Sequence, residues 1–143
     1  MQINKWGRCQ MRYLLHFKKK GSKRAEVNRM EERNKEVIRR FYQEFFNDHV
    51  VKSADQYVRE DYIQHNPGVE QGREGLKSAF AQKFIECPEF CLQIQMLIAE
   101  NDMAAVYLKN IGPDGVTRCR VVDIYRLEEG MLAEHWDVLQ PCG

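Results

Sequence analysis

The chain has no long apolar run: its longest unbroken stretch is Met103-Ala104-Ala105-Val106-Tyr107-Leu108. A membrane-spanning helix takes about 20 such residues, so no bilayer span is expected. Three further features are missing: an N-x-S/T sequon, a C-x-x-C pair and an apolar signal segment. The five cysteines (Cys9, Cys87, Cys91, Cys119 and Cys142) form an odd set. Together these absences point to a reduced, cytoplasmic protein and away from a disulfide-stapled secreted one. Cys87 and Cys91 are four apart but have Pro88 between them and no histidine nearby, a weak zinc spacing. Nucleophile elbow, P-loop, dinucleotide fingerprint and H-E-x-x-H are all absent.

What is present is an ordinary globular mixture, 143 residues with 43% hydrophobic and 30% charged side chains, enough for one domain with a real core. The charge is unevenly placed. Residues 1–29 hold nine Lys/Arg and one acid, net +8, whereas residues 30–143 hold thirteen Lys/Arg and twenty Asp/Glu, net −7. An acidic body argues against nucleic acid as a partner, and nothing calls for a membrane. The leader, with Lys18-Lys19-Lys20 and scattered Trp6, Tyr13, Leu14, Leu15 and Phe17, admits three readings. It is a targeting segment poor in serine, a basic arm, or a loose extension upstream of the native start. Met30-Glu31-Glu32 is a good helix start, with acids at the positive end of the dipole. The domain is therefore taken as residues 30–143, and residues 1–29 as a disordered or non-native extension.

Apolar residues from Met30 to Asn47 recur at spacings of three and four (Val37, Ile38, Phe41, Tyr42, Phe45, Phe46), which makes one broad helix face. Ser53 opens a short helix through Tyr57-Val58. Tyr62–Asn66 reads as a strand stopped by Pro67-Gly68, and Gly72–Phe84 as a third helix. Period-two alternation then takes over: strands at Phe90–Ile98, Met103–Ile111, Val116–Leu127 and Met131–Leu139, separated by Asn101-Asp102, Gly112-Pro113-Asp114-Gly115 and Glu128-Glu129-Gly130. Helices first and an antiparallel meander after give an α+β fold, with helices packed on one face of a curved sheet.

Asp123 lies mid-strand in Val121-Val122-Asp123-Ile124-Tyr125, a place aspartate seldom occupies. It shares a face with Val121, Tyr125 and Leu127. If that face is concave, the carboxylate sits in an apolar hollow, where desolvation disfavours its charged form and suits it to proton transfer. If the other face is buried, Asp123 is solvated or paired with an arginine. His65 shares parity with Ile63, which turns it towards the core, as a pocket group or as a core-edge histidine. Glu134-His135-Trp136-Asp137 sets His135 and Asp137 on one face and Glu134 and Trp136 on the other. Trp136 offers a flat wall for a ring-shaped ligand, or plain core packing. His135 with Asp137 is at most half a metal site. Tyr107 shares a face with Lys109, and its hydroxyl would suit an enolate oxygen in a pocket or, failing that, cross-strand packing.

Three blocks, Tyr62-Ile63-Gln64-His65-Asn66-Pro67, Val122–Gly130 and Glu134-His135-Trp136-Asp137-Val138-Leu139-Gln140, resemble the SnoaL-like polyketide cyclases of the nuclear transport factor 2-like superfamily. The resemblance runs from about Met30 to Pro141. It implies a cystatin-like conical α+β barrel with a pocket in the cone, and an intramolecular aldol reaction carried by an acidic strand residue without metal or organic cofactor. Asp123 matches that acid, and His65 and Trp136 become pocket residues. Phe41 and Phe45 on the helix, and Tyr125 and His135 on the strands, are taken as further substrate-lining candidates. Relatives often carry V-H-x-H on the strand before the acid; here Val106-Tyr107-Leu108-Lys109 stands there, which leaves Tyr107 as the oxyanion partner. The expected ligand is a small hydrophobic molecule bearing a carbonyl, and the resemblance implies a homodimer. A non-catalytic ligand-binding or dimerisation domain on the same scaffold is the alternative.

Overall fold

The computed structural model describes residues 5–143, with side chains from Lys20 onward. Residues 1–4, and the leader side chains singled out above, lie outside the described residues. Helix α1 spans Lys5–Phe41 and continues without interruption into a π-helical turn, Tyr42–Asn47. The boundary after residue 29 therefore falls within a helix. A 3-10 turn, Val51–Ser53, and the single-turn α2, Ala54–Tyr57, lead into strand β1, Val58–Gln64. Helix α3, Gly72–Glu86, follows, and then β2 Leu92–Glu100, β3 Met103–Ile111, β4 Thr117–Glu128 and β5 Met131–Pro141.

The five strands form one curved sheet in the order β1-β5-β4-β3-β2. The β2–β5 meander is antiparallel as expected. The all-antiparallel expectation is corrected at one edge, because β1 runs parallel to β5. A parallel neighbour needs a long crossover, and α3 with the whole meander supplies it. The β4–β5 turn is closed by Glu129 and Gly130, with φ of 52° and 75°, the left-handed pair that suits a tight hairpin.

Cross-strand register sorts the side chains into rows. On the concave face run Leu97, Val106, Asp123 and Asp137, and next to them Ala99, Ala104, Tyr125, His135 and Gln64. On the convex face run Met96, Tyr107, Val122 and Val138, and next to them Ile98, Ala105, Ile124 and Trp136. The concave face wraps the end of α1. Ile38, Phe41, Tyr42, Phe45 and Phe46 are all buried there, which is the broad face read from their spacing. Phe45 meets Phe80 and Phe84 from α3, and Phe46 meets Phe80, at centroid distances of 4.9–5.9 Å. Edge-to-face packing of this kind holds the helices over the sheet and adds about 0.5–1.5 kcal/mol per pair beyond area burial.

Two side chains lock the helix end to the sheet. The Asn47 amide donates to Leu92 O at 2.9 Å and accepts from Leu92 N at 2.8 Å, so it stands in for a missing strand neighbour. Gln71 does the same at the other edge, accepting from Gln64 N at 2.9 Å and donating to Gln64 O at 2.6 Å. Both keep buried backbone groups satisfied where the ladder ends, and the second fixes the strand end that carries Gln64. Among the described residues no helix is long and apolar enough to cross a membrane.

Candidate active site

A cavity of about 500 Å³ opens between the concave face of the sheet, α3 and the end of α1. Its walls are apolar, with Phe41, Phe46, Leu76, Phe80, Leu92 and Leu108 among them. Its floor is polar, and a few convergent polar groups in an apolar hollow are the usual form of a small-molecule site.

Asp123 is at the centre of that floor and only 7% exposed. Its Oδ2 accepts the hydroxyl of Tyr42, which descends from the π-helical turn. Its Oδ1 lies 2.9 Å from Nε2 of His135, a diagonal neighbour on β5. His135 is equally buried, and its Nδ1 lies 2.8 Å from Oε1 of Gln64 at the end of β1. Gln64 Oε1 also accepts the backbone N–H of Asn66 at 3.0 Å. The Asn66 amide in turn donates to Oδ2 of Asp137 at 2.6 Å. Asp137 is the direct cross-strand partner of Asp123. The buried carboxylate is thus tied into a continuous network of hydrogen bonds, as a charge or shared proton in a low-dielectric site requires.

Three phenols surround this network, and burial pushes all three well above the ordinary tyrosine range. For Tyr42, Tyr62 and Tyr125 desolvation is the leading cause and the neighbouring Asp123 charge comes next. They are therefore hydrogen-bond donors throughout the physiological range. Tyr125 lies 3.1 Å from the Tyr42 oxygen. The Tyr42 proton points to Asp123, so Tyr125 donates to Tyr42. Tyr62 lines the cavity and has no hydrogen-bond partner for its hydroxyl among the described residues.

Asp123, His135 and Asp137 bring ligand-type atoms within 4.8 Å of one another. Carboxylate and imidazole suit a divalent cation by type. Here Asp123 Oδ1 and His135 Nε2 bond each other, so the cluster is closed as a hydrogen-bonded group.

Of the residues singled out from sequence, the cavity brings together Asp123, Phe41, Tyr125 and His135. Four others need correction. His65 points outward; its side chain is 43% exposed, stacked on Trp136 at 4.8 Å and 2.9 Å from Glu134. The buried parity of β1 belongs to Tyr62 and Gln64, while Ile63 is 42% exposed, so the apolar residue was the wrong guide. Tyr107 lies on the convex face, because Val106 and not Tyr107 is registered with Asp123. Trp136, opposite Ile124, is convex as well and forms a wall for His65 instead of for a ligand. Phe45 is fully buried behind Phe41, stacked at 5.1 Å, and packs the core without lining the cavity. The outward group has its own order: hydrogen bonds from His65 and then Arg126 hold the Glu134 carboxyl below its usual range.

Tyr42, Tyr62, Gln64 and Asn66 were not singled out as site residues. Tyr42 is indistinguishable by spacing from the core aromatics around it. Gln64 and Asn66 flank His65 at alternate positions, and the only available signal was that parity.

Helices packed over a curved, mixed five-stranded sheet, with an acid on its concave face, define an α+β fold with an enclosed pocket. Residues 36–143 match the model of the family described as SnoaL-like polyketide cyclase, and the chain belongs to that family. A comparison with curated proteins found no match. Among solved structures, TsrD from Streptomyces laurentii is 24% identical with a TM-score of 0.60, over 73% of this chain and 86% of that one. A Bacillus cereus ATCC 10987 protein, provisionally described as a polyketide cyclase, is 25% identical with a TM-score of 0.64, over 73% and 72% of the two chains. An Agrobacterium tumefaciens str. C58 protein, provisionally described as an isomerase of the SnoaL-like family, is 14% identical with a TM-score of 0.66, over 76% and 98%.

Proposed function

We propose that the protein is a small acid/base enzyme, of the aldol-cyclase or isomerase type, acting on a hydrophobic carbonyl compound held in the cavity. The observation that carries this reading is the Asp123 carboxyl, nearly buried on the floor of an apolar hollow and held from both sides by Tyr42 and His135. In this reading Asp123 takes the proton alpha to a carbonyl. The Tyr62 hydroxyl, not Tyr107 or His65, donates to the developing enolate oxygen. The carbanion then adds to a second carbonyl, or is reprotonated at another carbon, and Asp123 returns the proton. Apolar walls exclude water, which keeps the carboxylate and the enolate from being levelled by solvent.

The test uses an aryl 1,3-diketone as probe, whose central C–H is acidic. Protein in D2O should accelerate exchange of that proton, followed by NMR, and Asp123→Asn should lower the rate by about 10²–10⁴ with little change in Tm. Undiminished exchange in Asp123→Asn rejects the mechanism. Saturable binding of the diketone without exchange would instead indicate a non-catalytic ligand-binding domain.

A further inference from the structure

The proton count of the floor network follows from its donors and acceptors. Gln64 Oε1 is a carbonyl oxygen and only accepts. Its orientation is not arbitrary, because it faces the Asn66 backbone N–H at 3.0 Å, and a flipped amide would set two donors against each other there. The atom of His135 that meets this oxygen at 2.8 Å must therefore carry hydrogen. That fixes His135 with a proton on Nδ1.

The other ring nitrogen then has a restricted choice. A bare Nε2 opposite an ionised Asp123 Oδ1 at 2.9 Å would set one lone pair against another. A proton has to lie between them, either on the carboxyl as an acid donating to Nε2 or on Nε2 as an imidazolium donating to the carboxylate. The two forms carry the same net charge, zero for the pair, and differ by one short transfer along a bond already made. Tyr42 donates to the other carboxylate oxygen in both forms.

We infer that Gln64 is a positioning residue: by holding the Nδ1–H form of His135 it makes Asp123 and His135 share a single proton, so that Asp123 can be emptied and refilled without changing the charge of the cavity. The residue acts through His135 and does not reach the reacting atoms. The shared proton stands on geometry alone, and its use in turnover rests on the acid/base role proposed above. In that role, transfer of the shared proton to Nε2 frees Asp123 Oδ1 as a base. The proton taken from carbon then sits on Asp123 beside the His135 imidazolium, the added charge of the pair balanced by the enolate, until it is returned to product and the shared proton moves back.

The test is 15N NMR of the histidine rings in the full chain near neutral pH. The four histidines, His16, His49, His65 and His135, are assigned by single His→Gln variants. Ring nitrogens with and without hydrogen resonate in well-separated ranges. His135 Nδ1 should appear as a protonated nitrogen whose hydrogen exchanges slowly with water. Gln64→Glu, which keeps an acceptor in place, should preserve that signal. Gln64→Leu should abolish it and leave a mixture of tautomers. A wild-type spectrum with bare Nδ1 overturns the inference, as does an unchanged His135 signal in a folded Gln64→Leu protein. If Gln64→Leu does not fold, the wild-type and Gln64→Glu spectra still decide. Failure of the Asp123→Asn exchange test would remove the acid/base role but leave the tautomer standing, so the two ideas fail separately.

Discussion

Val106 of β3 and Asp123 of β4 face each other across the antiparallel ladder. Val106 is fully buried and Asp123 nearly so. This one pairing sets the face of the residues from Met103 to Asn110 and from Cys119 to Arg126, because side chains alternate over those regular stretches. It puts Leu108 and Tyr125 beside the cavity and turns Tyr107, Lys109, Val122 and Ile124 outward.

The same alternation separates the tyrosines by consequence. Tyr107→Phe and His65→Gln should leave diketone exchange within about twofold of wild type, an energetic change of less than about 0.5 kcal/mol. Tyr62→Phe should lower it by about tenfold or more, because one donor to the enolate oxygen would be lost. Exchange rates of the three variants, measured beside their melting temperatures, decide the matter. A large loss in Tyr107→Phe with a silent Tyr62→Phe would reverse the assignment.

Tyr42→Phe should be costly to the fold as well as to the site. It removes the donor to Asp123 Oδ2 and the acceptor used by Tyr125, both buried. Leaving a buried polar group without its partner costs about 1–3 kcal/mol. Urea unfolding should show a lower midpoint at unchanged slope, since the ring itself still fills its place against Phe46, 5.0 Å away. An unchanged midpoint would mean that water replaces the phenol and that the floor is wetter than its burial indicates.

Much of the fold was legible because the apolar periodicity stays at 2 from the Pro88 region onward, after segments dominated by 3.6. The third helix and all four meander strands fall within a few residues of their expected bounds. The pairing of β1 was not legible, since a parallel contact between segments separated by the whole meander leaves no local trace. Site parity was legible only where polarity broke the symmetry. On β4, Asp123 shared a face with Tyr125 and Leu127, and that face is the buried one. On β1 the rule that apolar residues point inward failed, because the inner position is occupied by a buried amide, Gln64, hydrogen-bonded to His135, and the outer one by Ile63. On β3 both faces look apolar, and the clue was Lys109, which marks the Tyr107 face as the wet one.

Alkaline pH should test the burial of the phenols on the cavity floor. Tyr42, Tyr62 and Tyr125, three of the six tyrosines, are pushed well above the usual range by burial and by Asp123. In the unfolded chain they ionise at about 10. Below that pH both states hold these protons and stability is full. Above it the unfolded state releases protons that the folded state keeps, so stability falls as pH rises towards the folded values. Phenolate absorbance in the native protein should therefore stay incomplete near pH 10 and reach its full value only with loss of near-ultraviolet circular dichroism. A single titration of all six near pH 10 without unfolding would contradict the burial of the site.

The convex face leads to a prediction about assembly. Its two central rows, Met96, Tyr107, Val122, Val138 and Ile98, Ala105, Ile124, Trp136, form an apolar band across four strands. Met96 and Ile98 are 55% and 57% exposed and Val138 is 68% exposed, which is unusual for neighbouring apolar residues on a sheet that stands alone. The band is flanked on one side by a row with Lys109 and Arg120, and on the other by a row with Glu100, Arg126 and Glu134, in which Arg126 pairs with Glu134 at 3.0 Å. A two-fold axis lying along the rows would set the band on itself, with Lys109 and Arg120 of one copy over the row that holds Glu100 of the other, so we propose a second copy of the chain as the occupant. We expect the protein to run as a dimer in size-exclusion chromatography with light scattering. Val138→Asp, which places a carboxylate in the band, should shift it to monomer while leaving the far-ultraviolet circular dichroism intact. The charge reversal Lys109→Glu with Arg120→Glu should weaken the dimer less, and more at low salt than at high, because rim charges are screened. A wild-type monomer at high micromolar concentration would leave the band without a partner and defeat the prediction.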